Sequence, residues 1–99
     1  MRSIAFVILK YPSEGDPTAL IKTLAGGAKI SVILLEDGVY WAVMSDKQER
    51  LQECKAEIFA ASDDLIARGF DEPVSGVKVV DYEKIVEIIM EEYDRVITL

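Results

Sequence analysis

The chain has 99 residues and no histidine. Without an imidazole, histidine-based nucleophile triads are excluded, and so are most catalytic zinc sites. Cysteine is nearly absent too: Cys54 stands alone and cannot form an internal disulfide, which suits a reducing compartment. Cations are scarce, with 11 Lys and Arg against 18 Asp and Glu, a formal net charge of −7. Such a surface repels phosphates, so direct binding of RNA or DNA is disfavoured. Long hydrophobic runs are missing as well. The run Ile4–Leu9, between Arg2 and Lys10, is too short for a signal-peptide core and has no small-residue cleavage pattern behind it. Nothing approaches the roughly 18 apolar residues of a membrane span. The expectation is a cytoplasmic protein with no membrane association.

Repeats, low-complexity tracts and linkers are also lacking, so residues 1–99 read as a single domain. What is abundant is apolar side chain: 51% of residues, with a mean hydropathy of +0.19. A domain this small has too little interior to hide all of it. Some apolar surface is therefore left for a partner, and self-association into at least a dimer is expected.

Ile4–Leu9 and Ile30–Leu35 are nearly unbroken apolar segments. Continuous rather than alternating character predicts strands covered on both faces, as in a parallel sheet. Glu57–Ala61, Val77–Val80 and Arg95–Leu99 are shorter strand candidates. Helices with readable ends lie between them. Asp16-Pro17 is an N-cap followed by proline, with Gly26-Gly27 as the stop. Asp37 is expected to cap a short helix through Val39–Met44, and Ser45 with Gln48 resembles a capping box for a helix ending near Cys54. Ser62 is expected to cap Asp63–Arg68, with Gly69 as the stop. Asp81 opens the strongest helix, where Tyr82, Ile85, Val86, Ile89 and Tyr93 recur on one face. Strand and helix in alternation predict an α/β fold: a parallel sheet between two helical layers, joined by right-handed crossovers.

Ligands of such sheets sit beyond the carboxyl ends of the strands. That edge would gather Lys10 and Tyr11, Glu36-Asp37-Gly38, Ser62-Asp63-Asp64, and Asp81. Clustered carboxylates can bind Mg²⁺ or divide acid and base roles. Asp37, Ser62 and Asp81 already have capping jobs, however, and only Glu36 has none. No metal site and no cofactor is expected. Gly26-Gly27 follows a helix rather than a strand, so it is a helix stop and not a phosphate loop. Cys54 is a weak catalytic candidate, because a helix C-terminus opposes thiolate formation and Leu51 one turn earlier points to packing. Tyr40 and Trp41 are neighbours about 100° apart on a helix, so both cannot face inward. One of them is the candidate interface anchor.

Leu34-Leu35-Glu36-Asp37-Gly38-Val39-Tyr40 resembles the acidic turn of the DsrH/TusB family. Asp64-Leu65-Ile66-Ala67-Arg68-Gly69 and Val80-Asp81-Tyr82 are similar to two further signatures of that family, in order and at suitable spacing. The resemblance spans essentially the whole chain. It implies a DsrE/F/H-like fold with a five-stranded parallel sheet. It further implies an accessory subunit of a sulfur-relay complex beside DsrE/TusD-like and DsrF/TusC-like subunits, passing persulfide sulfur toward 2-thiolation of the tRNA wobble uridine or related chemistry. DsrE/TusD-type subunits carry a cysteine at the end of the third strand, where Ala61 stands here. Some DsrH members carry one after the first strand, but Tyr11–Leu24 contains none. Cys54 matches neither place. The rival readings are a self-associating small-ligand-binding protein using the Glu36–Gly38 edge, and a carrier using Cys54.

Overall fold

A computed structural model describes residues 3–70 and 76–99. The strands are β1 (Ser3–Ile8), β2 (Lys29–Leu34), β3 (Glu57–Ala61), β4 (Val77–Val80) and β5 (Arg95–Thr98). The helices are α1 (Thr18–Ala25), α2 (Tyr40–Val43), α3 (Ser45–Gln52), α4 (Ser62–Ala67) and α5 (Tyr82–Glu87). A 3₁₀ turn at Glu36–Val39 precedes α2, and α5 runs on into a π-helical turn at Ile88–Glu92. Strand ends lie within one residue of those expected from the sequence.

The five strands are parallel and ordered β4-β3-β2-β1-β5. The chain steps across the sheet from β1 to β4, then returns to the far side of β1. Right-handed crossovers that travel in opposite directions must pass over opposite faces. On one face, Ile21 and Ala25 of α1, Trp41 of α2, Leu51 of α3 and Leu65 of α4 pack on Ile4, Phe6, Val32, Leu34 and Ile58. On the other, Ile85 and Ile88 pack on Ala5, Val7, Ile33 and Phe59. This two-sided covering is why β1 and β2 read as continuous apolar runs. Each fully buried large side chain contributes about 1.5–3 kcal/mol relative to exposure.

Several expected caps hold. Asp16 accepts the Thr18 amide at 2.9 Å and the Thr18 hydroxyl at 2.6 Å. Asp81 accepts the Lys84 amide at 2.8 Å. Gly26 and Gly27 close α1 at φ of 52° and 85°, a left-handed region that costs glycine little. Other caps are corrected. Ala61, the last residue of β3, takes the cap position of α4, and Ser62 is already helical. Met44 does the same for α3, so Ser45 and Gln48 form no capping box. Chain turning straight from one element into the next leaves no residue outside the helix to bond back. Asp37 lies inside the 3₁₀ turn and bonds elsewhere. Of the expected face of α5, Ile85 is buried and Ile89 and Tyr93 pack partly on the core, while Tyr82 and Val86 are exposed and Ile88 is buried as well. The π turn at Ile88–Glu92 widens the helix only beyond Glu87.

Candidate functional site

The outgoing connection of β3 passes over one face of the sheet and that of β4 over the other, so their carboxyl ends flank the crevice where such folds place ligands. Ala61 ends β3 beside Val80 and is fully buried. At the same carboxyl edge the Tyr82 hydroxyl donates to Asp64 Oδ1. Asp64 Oδ2 accepts the backbone N–H of Glu36 at 2.8 Å. The guanidinium of Arg68 lies 3.9 Å from Asp64 and reaches across to Asp37 Oδ1 with Nε at 3.0 Å and Nη2 at 2.9 Å. Bonding to the Asp64 carboxylate, aided by burial and by the charge itself, pushes the Tyr82 phenol up to about 12.

Glu36 sits at φ 52°, left-handed backbone that costs a non-glycine residue about 1–2 kcal/mol. Asp64 holds the amide of that strained residue. Its neighbour Gly38 has a different constraint. A Cβ there would overlap the carbonyl carbon and oxygen of Ile8, so only glycine lets the turn lie on the end of β1. The same Ile8 oxygen accepts the Leu35 amide at 3.1 Å. The acidic turn is thus tied down on both sides: to β1 through Gly38 and Leu35, and to α4 through Glu36 and Asp37.

The sequence placed all these residues at one edge, and the structure divides them. Glu36, Asp37 and Asp64 join one polar network with Arg68 and Tyr82. Asp81 faces its own helix as a cap. Lys10 instead lines a separate apolar cavity of about 250 Å³ at the end of β1, with Ile8, Pro17, Leu20 and Trp41. Aromatic rings lie between the two: Tyr40 meets Tyr11 edge-on at 4.7 Å and Phe70 at 5.3 Å. Trp41 is 1% exposed, so it is the inward member of the pair and a core residue rather than a surface anchor. Tyr40 is the half-buried one.

Cys54 is outside both regions. It is buried, and its thiol lies 3.9 Å from the carbonyls of Thr18 and Arg50. Burial pushes the thiol up, with the charges of Asp16 and Glu53 adding to it against Lys22, so thiolate is disfavoured. Among the described residues no three His, Cys, Asp or Glu side chains gather to hold a metal ion, and no helix is long and apolar enough to cross a membrane.

A family model described as DsrH like protein matches residues 9–95. The chain belongs to the DsrH-like family. Curated relatives agree along about nine-tenths of the chain. Protein TusB of Escherichia coli is 30% identical over 90 residues, covering 89% of this chain and 93% of the relative. Protein TusB of Photorhabdus laumondii is 28% identical over 92 residues, covering 91% and 95%. The crystal structure of the ychN protein from E. coli superposes over the whole of both chains with a TM-score of 0.82 at 15% identity, which shows a shared α/β fold.

The segments that carried the family resemblance are those that meet in space. The acidic turn supplies Glu36 and Asp37, the second segment Asp64 and Arg68, and the third Tyr82. Arg68 and Tyr82 were not singled out as site residues from sequence. The available signal was that each segment follows directly on a strand, which puts all three at the carboxyl edge of a parallel sheet.

Proposed function

We propose that this DsrH-like chain is a non-catalytic accessory subunit of a cytoplasmic sulfur-relay complex. Its partners in this reading are DsrE/TusD-like and DsrF/TusC-like subunits, and the complex serves 2-thiolation of the tRNA wobble uridine or related persulfide trafficking. One observation carries the non-catalytic part. At the place where, by the family resemblance, a DsrE/TusD-type subunit has its carrier cysteine, this chain has Ala61, fully buried at the end of β3. At the same carboxyl edge Tyr82 and Asp64 are bonded to each other, which supports a structural role for this end of β3. Cys54 is no substitute, since its thiol is buried among backbone carbonyls with thiolate disfavoured. The half-exposed Tyr40, with Glu36, Asp37 and Gly38 shaping the turn before it, is the anchor on which partner contact is proposed.

Co-expression with the paralogous subunits of the same genome tests this. A single heteromeric species is expected, and Cys54→Ala should thiolate tRNA at the wild-type rate. Failure to associate, or loss of relay in a folded Cys54→Ala protein, would overturn it. A second reading, a self-associating protein that binds a small ligand, gains support only from the apolar cavity beside Lys10 and not from Glu36–Gly38, whose polar groups are largely bonded within the chain. A chain that forms a homo-oligomer alone and ignores its paralogues would favour that reading.

A further inference from the structure

The outer face of α5 and its π turn takes no part in the carboxyl-edge site. Ile85 and Ile88 turn inward, which leaves Val86 54% exposed and Met90 77% exposed, one helical turn apart. Glu83, Glu87 and Glu91 line the same shallow groove. The nearby cation, Lys84, is occupied by Glu87 at 3.5 Å and Glu92 at 3.8 Å. Among the described residues no cation pairs with Glu83 or Glu91. The surface is therefore an apolar strip edged by three carboxylates, of which Glu83 and Glu91 have no cation partner among the described residues.

We propose that this face docks an amphipathic helix of a different chain, whose apolar ridge is flanked by Lys or Arg. The proposal rests on the accessory-subunit reading only for the existence of such a partner. Charge decides the occupant. A second copy of the same face would press Glu83, Glu87 and Glu91 against their own kind as water is expelled, which like charges oppose. An anionic lipid surface is repelled for the same reason. A basic amphipathic helix meets both demands: it covers Val86 and Met90 and supplies the missing cations. Met is well suited to such a seat, since its flexible, polarisable side chain adapts to a facing ridge. The π turn that exposes Met90 is a feature often found where helices carry function.

The test uses the whole chain and two synthetic helical peptides with the same leucine ridge, one flanked by lysine and the other by glutamate. The lysine peptide should bind saturably, with amide shifts centred on residues 83–91, and should weaken as salt rises. Val86→Asp and Met90→Asp should each weaken it by about tenfold or more. Leu24→Asp, at an exposed apolar site on the opposite face, should leave it unchanged. No saturable binding, shifts centred elsewhere, or equal binding of the glutamate peptide would overturn the proposal. Peptide binding reads the α5 face alone, whereas co-purification with paralogous subunits reads the accessory role, so the two ideas fail separately.

Discussion

Removing the Asp64 carboxylate should unlatch the turn that carries Glu36. Asp64 is 8% exposed and satisfies the Glu36 amide at 2.8 Å and the Tyr82 hydroxyl. Hydrogen bonds to a charged group contribute about 1.5–3 kcal/mol each. The Tyr82 bond belongs at the lower end or below, because Tyr82 is 43% exposed and water can replace its partner. The Arg68 contact at 3.9 Å adds little, since Asp37 keeps that guanidinium. Once unpinned, Glu36 can leave its left-handed conformation, recovering part of the strain but loosening the turn. Asp64→Ala should then cost about 3 kcal/mol, an order-of-magnitude sum of the two bonds less the desolvation the carboxylate no longer suffers. For a domain this size that lowers Tm by about 12–24 °C. Tyr82→Phe should cost about 1 kcal/mol alone and close to nothing in the Asp64→Ala background. Urea unfolding of the four proteins, with unchanged m-values, measures the coupling. Additive losses, or an Asp64→Ala cost under about 1 kcal/mol, would refute the latch.

The same bridge predicts a pH response. Tyr82 titrates near 12 when folded but near 10 when unfolded, so its contribution is intact below pH 10 and is lost as pH rises through about 12. Ultraviolet titration should show a late phenol that is absent in Tyr82→Phe, and its persistence there would assign it elsewhere. Gly38→Ala drives a Cβ into the Ile8 carbonyl, and should cost about 3 kcal/mol or more, read as an early melt. Trp41→Ala should lose about 3–5 kcal/mol as a core truncation. Tyr40→Ala should stay folded, losing about 1–2 kcal/mol of ring contact, and weaken partner association in sizing experiments. Equal losses at the two positions would place Tyr40 in the core as well.

Strands, helix stops and the α/β class were legible in the sequence because each depends on neighbours along the chain. The unbroken runs around Phe6 and Val32 announce strands covered twice, and Gly26-Gly27 announces a left-handed stop. Asp16 bonds the first helical amide of α1 from one residue ahead of the cap position, which Pro17 takes, and Asp81 caps as expected because it is extended just before its helix. Ser45 and Ser62 do not, because an element boundary one residue away puts them inside the helix. The face of α5 was read too wide at Val86: the sheet covers the side that carries Ile85 and Ile88, and Val86, next to Ile85, falls outside it. The missing histidine, the single cysteine and the acid excess are properties of composition, and no fold alters them. Whether Tyr40 or Trp41 faces inward, and whether Asp37 caps a helix or grips Arg68, depends on partners some 30 residues away in sequence. Asp64, Arg68 and Tyr82 become one latch only because parallel pairing brings the carboxyl ends of β2, β3 and β4 to a common edge.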